Sequence, residues 1–382
     1  MSQSKATTDE RDGGRGRAPT HIVGIGASAG GLEALEAFFS AMPSDNDLAF
    51  VVVQHLSPDY KSLMVELLSK KTRMHVARAE EGMPVERCGV YLIPPKTDLT
   101  IRDGRLALEE QLTPHHTIHL PIDIFLRSLA EDQAERAVAV ILSGTGSDGA
   151  RGVRAVKESG GMVMVQEEST AKFDGMPRAA ASTGVADFVL PPGEMPEQLL
   201  GYARHPYHSQ PDLRDRSLED GDAMSRIFAA LRDRAKVDFT FYKPTTIQRR
   251  LERRLVITRS EDIEEYAGYL ARHPGEVMAL YRELLIGVTS FFRDPETLAE
   301  LAEGHLPALL ERTRDREVRF WVAGCSTGEE AYTLAILTKE AMRRHDIHRD
   351  VKIFATDIDR DAVMTAGAGI YPESIAADLS PE

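Results

Sequence analysis

From His21 to about Leu190 the chain sets short apolar, β-branched runs against amphipathic stretches in strict turn: HIVGIGA, LAFVVVQHL, GVYLIPP, AVAVILSG, GMVMVQE and ADFVLP are separated by segments of helical spacing. An apolar run without polar alternation is a strand covered on both faces, and such strands belong to parallel sheets with helices above and below. The alternation predicts an α/β fold, a doubly wound parallel sheet, over residues 21–200. The pattern then changes twice. From Pro191 onward prolines, glycine and charges displace it, and residues 201–222 read as a linker. Over 223–290 every periodic segment is helical, as in TTIQRRLERRLVI, IEEYAGYLARH and GEVMALYRELLIGV, so a small all-helical domain is expected there. Within 291–382 a strand EVRFWVAG, a helix GEEAYTLAILTKEAMRR and a strand VKIFATDID open a second α/β domain. Several domains suit a chain of 382 residues, which exceeds one typical core.

The first twenty residues, MSQSKATTDERDGGRGRAPT, lack the apolar core of a signal peptide and are expected to form a disordered tail over 1–20. No later apolar run reaches bilayer length. The formal charge of -14 excludes general affinity for nucleic acid, whose phosphates call for a basic surface. Cys88 and Cys325 are far apart and provide neither a disulfide framework nor a zinc pair, which fits a reducing cytoplasm. His115, His116 and His119 of PHHTIHLP have no Cys or carboxylate to complete a ligand set, so no metal is expected. Cys325 has no basic partner near it in sequence, and a packing role is expected.

The stretch HIVGIGASAGGLEAL, residues 21–35, allows two chemistries. Glycines between a strand and a helix suit a phosphate, which backbone amides and the helix dipole attract. A dinucleotide fold also wants an acidic residue ending the next strand, and LAFVVVQHL ends in Gln54 and His55. The same residues spell Gly26-Ala27-Ser28-Ala29-Gly30, a small-x-Ser-x-small elbow that exposes a serine at a strand-to-helix turn. A serine nucleophile needs a base, and the base needs an orienting carboxylate. His55 follows the second apolar run and Asp148 follows the fourth, both at the strand ends where open α/β sheets place their sites. The chain order Ser, His, Asp differs from the Ser, Asp, His of ordinary α/β hydrolases and disfavours a lipase or esterase of that kind.

In order, GIGASAGG, VVVQHLSPD, YLIPP, PIDIFLRSLA, ILSGTGSDGARG, AKFDGMPRAA and DFVLPP resemble the chemotaxis protein-glutamate methylesterase domain, CheB, over about residues 20 to 200. The resemblance implies that Ser28 attacks a γ-glutamyl methyl ester on a receptor, that His55 is the general base and that Asp148 orients it. It implies an oxyanion site near the helix start after Ser28 and the backbone amide of Thr145, where the family more often carries Met. Thr is frequent in the family at the place of Ala29. Stand-alone members carry an N-terminal receiver domain that twenty polar residues cannot form, so control by neighbouring domains is expected.

LLIGVTSFFRD and FWVAGCSTGEEAYTLAI resemble the linker and cofactor-binding opening of the chemotaxis receptor methyltransferase, CheR, a Rossmann-like S-adenosylmethionine-dependent enzyme. By that resemblance Thr289, Arg293, Gly324, Glu330 and Asp357 contact S-adenosylmethionine, with Arg293 close to the transferred methyl; Gly287 stands where the family often has Asn. From the residues alone, Gly324 and Gly328 allow close approach of a ligand and ATDID supplies a ribose-binding acid. Arg249, Arg250, Arg253 and Arg254 form a basic stripe at helical spacing in an acidic chain. It is equally readable as a solvated face, and CheR's approach to acidic receptor helices makes it a candidate receptor contact.

The expected whole is a two-enzyme fusion acting on methyl-accepting chemotaxis receptors in the cytoplasm: an esterase that needs no cofactor, followed by part of the opposing transferase. Only about twenty residues follow Asp359, so the transferase half is expected to be incomplete. The alternatives are a receptor glutamine deamidase using the same three residues, since amide and ester share the acyl-transfer route, and a signalling scaffold whose catalytic halves are vestigial.

Overall fold

The computed structural model describes residues 18–55, 63–110, 119–204, 221–287, 289–313 and 317–379. The chain divides into two compact units, the first running to Leu284 and the second from Leu285 onward. Most of the expected linker, most of the N-terminal tail, and His115 and His116 lie outside the described residues.

Among the described residues the first unit is built on nine strands: β1 His21–Ala27, β2 Leu48–Gln54, β3 His75–Arg78, β4 Gly89–Leu92, β5 Thr97–Arg102, β6 Arg105–Glu110, β7 Ala137–Ile141, β8 Met162–Gln166 and β9 Phe188–Leu190. Seven of them form one parallel sheet in the order β3-β4-β2-β1-β7-β8-β9. β1, β7 and β8 are buried along their whole length, as strands with helices on both faces must be. The helices are α1 Gly31–Ala41, α2 Met64–Ser69, α3 Pro121–Gln133, α4 Ala150–Glu158, α5 Gly175–Ser182 and α6 Met195–Ala203.

This strand order positions the site. β1 lies between β2 and β7, and after β4 the chain leaves that side of β1, passes through the hairpin β5–β6 and helix α3, and returns as β7 on the other side. Such a reversal opens a crevice at the carboxyl ends of the strands beside it. Ser28, His55 and the loop carrying Asp148 follow β1, β2 and β7, the three adjacent strands there.

The glycines of β1 have a packing cause. A Cβ on Gly24 would stand 2.7 Å from Leu126 Cδ2, and one on Gly26 would stand 2.5 Å from Ile122 Cγ2, so α3 lies directly on the bare strand. Close approach of a helix, with no phosphate involved, accounts for both positions. Gly30 is the residue that needs its freedom: it caps α1 in the left-handed region at φ 70°.

The rest of the first unit is the expected helical part, with helices Gly221–Ala235, Pro244–Thr258, Ile263–Arg272 and Pro274–Leu284. Ile227, Leu231, Leu251, Leu255, Tyr266 and Leu280 fill its interior. Asp262 caps the third helix, its carboxylate accepting from Glu265 N at 2.8 Å while the Glu265 carboxylate accepts from Glu261 N at 2.7 Å. This is close to a capping box, with both partners satisfied reciprocally.

The second unit holds a parallel pair, β10 Val318–Ala323 and β11 Val351–Thr356, joined through the helix Glu329–Arg344. Leu306, Leu310, Val318, Leu337 and Ala341 are its core. Trp321 and Phe354 on the two strands remain 73% and 52% exposed, so among the described residues one face of this pair is bare.

Candidate active site

Ser28 stands just beyond β1, where its backbone is tied on both sides. Its N–H donates to Ser143 O at 3.0 Å and its carbonyl accepts from Gly31 N at 2.9 Å. Ser143 is the tie-point of three loops: its single hydroxyl proton is shared between Ala29 O (2.9 Å) and Phe173 O (3.2 Å), and its oxygen accepts from Phe173 N (3.0 Å). Gly144 lies against the serine, since a Cβ there would be 2.9 Å from Ser28 Cβ and would strike Met176. That contact keeps the backbone leading to Thr145 beside Ser28; Thr145 itself is exposed.

His55 and Asp148 meet Ser28 from the neighbouring strand ends. His55 Nδ1 is 3.2 Å from Ser28 Oγ and Nε2 is 2.8 Å from Asp148 Oδ2. The imidazole is about one-third exposed and the aspartate side chain is 2% exposed, so the substrate side is open and the orienting side is dry. Asp148 is held by the start of α3: Oδ2 accepts from Ile122 N and Oδ1 from Asp123 N, each at 3.0 Å. Amides at a helix N-terminus attract a carboxylate and fix its direction.

A second carboxylate, which the sequence reading passed over, sits behind the first. Asp123 is 2% exposed, and its Oδ1 accepts from Arg151 N (3.1 Å) and Gly152 N (2.7 Å) in the first turn of α4. Its Oδ2 is buried with no hydrogen-bond partner among the described residues. Burial first, and then the Asp148 charge, push the Asp123 carboxyl up to about 7, against the Gly152 amide and the charges of Arg151 and Arg127. The only available signal was an acid in the first turn of a helix behind Pro121, which is commonplace.

The glycine loop after β10 was the other expected site. Gly324 has φ 74° and open space where a side chain would project. Asp357, half-buried, accepts from Ser326 N at 2.7 Å and Asp359 N at 2.8 Å, and so fastens the loop as well as ending β11. Glu330 is exposed in the first turn of the following helix; Arg293 is exposed and Thr289 half-buried. Phe292 N donates to Thr333 Oγ1 at 3.2 Å, tying the Arg293 segment to that helix. A side chain on Gly287 would meet the Ser326 hydroxyl, which would have to turn aside to admit it. Open glycine backbone beside carboxylates suits a ligand with a cationic sulfur and ribose hydroxyls, and the residues fit S-adenosylmethionine. Cys325 is buried, and burial together with the Asp357 charge pushes its thiol up, away from reactivity.

The basic stripe is a correction. Arg253 and Arg254, expected to face a receptor, are 5% and 8% exposed. Arg253 pairs with Asp187 and with Glu283 (2.6 Å), and Arg254 grips Glu276 through two bonds of 2.8 and 2.6 Å. Arg249 donates to Ser159 O, and Arg250 donates to Lys157 O at 3.3 Å. Lys157, near the end of α4, reaches both Asp187 (2.7 Å) and Glu283 (2.8 Å). Arg249, Arg250 and Arg253 thus fasten the helical part onto α4 and the strands beside it, with Arg249 still exposed, while Arg254 braces the helices internally. A one-dimensional charge pattern does not say which face will be covered.

Residues 23–199 match the family model of the CheB methylesterase, 222–285 that of the CheR methyltransferase all-alpha domain, and 287–382 that of the CheR methyltransferase SAM binding domain. The chain joins a CheB methylesterase domain to CheR methyltransferase domains. A Rhodobacter capsulatus protein named "Uncharacterized 104.1 kDa protein in hypE 3'region" is 40% identical over 339 residues, which is 83% of this chain and 35% of that protein. The "Protein-glutamate methylesterase/protein-glutamine glutaminase 3" of Burkholderia orbicola is 37% identical over 190 residues, 48% of this chain and 56% of that protein. The crystal structure of the Thermotoga maritima CheB methylesterase catalytic domain is 32% identical, with 47% of this chain and 97% of that one covered and a TM-score of 0.44. The chain thus spans about a third to somewhat over half the length of these two curated relatives. The CheB and CheR all-alpha segments together make up the first unit, and the CheR SAM binding segment is the second. No helix among the described residues is long and apolar enough to cross a membrane.

Proposed function

We propose that the CheB domain hydrolyses γ-methyl esters of glutamates on a methyl-accepting chemotaxis receptor in the cytoplasm, with Ser28 as nucleophile, His55 as base and Asp148 as the group that orients it. The hydrogen-bonded chain from Ser28 Oγ through the imidazole to Asp148 carries this reading. Nδ1 takes the hydroxyl proton as Oγ attacks the ester carbonyl carbon, while Nε2–H remains bonded to Asp148, whose charge stabilises the imidazolium. The imidazolium then protonates the departing methoxide, releasing methanol and leaving an acyl-serine. Water, deprotonated by the same imidazole, hydrolyses the acyl-serine to free glutamate and restores the hydroxyl. The Thr145 amide, kept near Ser28 by the Gly144 contact, is the proposed donor to the oxyanion. The esterase is proposed to need no cofactor.

Amide hydrolysis of receptor glutamine is the second reading, favoured by the double name of the Burkholderia orbicola relative. The same atoms serve, with ammonia leaving in place of methanol. In the CheR SAM binding domain, Thr289, Arg293, Gly324, Glu330 and Asp357 are the proposed S-adenosylmethionine contacts, the acids facing a cationic ligand. The cofactor would supply the methyl group for the opposing transfer; the chain's own residues bind and orient it.

The test is a Ser28→Ala variant assayed on a methylated and on a Gln-bearing receptor fragment, reading methanol and ammonia separately. Ala fits the elbow, so the fold holds while turnover drops by at least about 10³-fold on any true substrate. Retained turnover in the purified variant overturns the assignment.

A further inference from the structure

Asp123 is a buried carboxyl that the proposed mechanism does not use, yet it is joined to that mechanism from both sides. Its backbone N–H donates to Asp148 Oδ1, and its carboxylate receives the amides of Arg151 and Gly152 at 3.1 and 2.7 Å. Two helix starts therefore face each other, each capped by the other's acid: Asp148, two residues ahead of α4, serves α3, while Asp123 in α3 serves α4. Asp148 cannot shift toward or away from His55 unless this clasp opens.

We propose that Asp123 is a positioning residue of the esterase, which fixes Asp148 against His55 through the clasp and whose ionisation tunes the basicity of His55. The second half follows from charge and dryness. Asp123 supplies one of the two amides that hold Asp148, both carboxyls are nearly unexposed, and a charge on one is felt by the other with little screening. The groups facing Asp123 are Asp148 ahead of α4, Arg151 on α4 and Arg127 on α3, with His55 beyond Asp148. Its carboxyl is displaced upward to about 7, so it changes charge across the range where a histidine base also titrates. The sign is definite: ionised Asp123 adds negative charge behind Asp148 and favours the imidazolium of His55 over the neutral ring. The inference rests on the proposed roles of Ser28, His55 and Asp148.

The experiment is the pH profile of kcat/KM for methyl-ester hydrolysis in the full chain, for the parent, Asp123→Asn and Asp123→Ala, with Ser28→Ala alongside. Asn keeps an oxygen for the α4 amides and carries no charge. The parent is expected to rise through two ionisations, and Asp123→Asn through one, displaced to lower pH by roughly half a unit. Asp123→Ala opens the clasp and is expected to lower kcat about tenfold or more with KM nearly unchanged, as loss of an orienting group does. A parent and Asp123→Asn profile that superimpose overturn the tuning role, and an unchanged kcat in folded Asp123→Ala overturns the positioning role. Should the alanine variant fail to fold, the asparagine profile still decides. Activity retained in Ser28→Ala sinks the underlying site instead, a result distinct from either.

Discussion

At the scale of single residues, the orientation of His55 decides which proton moves. Nε2 faces Asp148 and Nδ1 faces Ser28, so the tautomer with the proton on Nε2 is the productive one. Asp148→Asn can present an amide N–H to Nε2 and thereby stabilise the other tautomer, which leaves Nδ1 protonated and unable to accept from the serine. A fall in kcat on the order of 10³–10⁴, with secondary structure unchanged by circular dichroism, is the expected outcome. Ser28, His55 and Asp148 were readable because each directly follows or closely trails an apolar run and because serine, base and acid form a chemical set. Asp123 was not, since its role depends on α4 arriving opposite α3, a relation of 28 and 29 positions along the chain that no local pattern carries.

Among the elements, the contact of α3 with β1 links packing to chemistry. The helix presents Ile122 to the bare Gly26, and the same turn delivers the two amides that hold Asp148. Gly26→Ala inserts a methyl 2.5 Å from Ile122 Cγ2, so either the helix start lifts or the strand shifts. The expected cost is about 1–3 kcal/mol by denaturant unfolding, with a loss of kcat because the Asp148 donors move as well. A stability loss with full activity would show that the helix start is not what positions the acid. The central strands were legible as unbroken apolar runs. β3 was not, because HVAR is a four-residue edge strand without alternation, and the hairpin β5–β6 was passed over although Asp103 and Gly104, at φ 50° and 68°, make the Asp-Gly turn that marks one.

For the molecule as a whole, the buried charges of Lys157, Asp187, Arg253 and Glu283 bind the CheB domain to the CheR all-alpha domain. Burial pushes the Asp187 carboxyl up, but Arg253 and Lys157 outweigh it and hold it at about 2; Glu283 is lowered by the same two cations against the same penalty. Acids held low in the folded state lend stability that is complete above their unfolded values, near 4. That stability is lost as pH falls toward about 2. Glu283→Ala leaves Lys157 and Arg253 buried with Asp187 alone, and a loss of roughly 3–5 kcal/mol is expected by denaturant titration at pH 7. An unchanged midpoint would mean that the cluster is wet in solution. The domain succession was legible from changes in hydrophobic period, whereas the union of the first two domains was not, because it depends on which face of an arginine-bearing helix is covered.

The clasp of charges also bears on how such a protein can be rearranged by recombination. Each partner brings a neutral pair: Lys157 and Asp187 come with the esterase, and Arg253 and Glu283 come with the helices. A crossover in the stretch between Ala203 and Gly221 would look harmless by composition, yet it would strip each buried pair of its partners across the seam, Arg253 from Asp187 and Glu283 from Lys157. A substitution on one side of this seam is therefore expected to call for an answering change on the other.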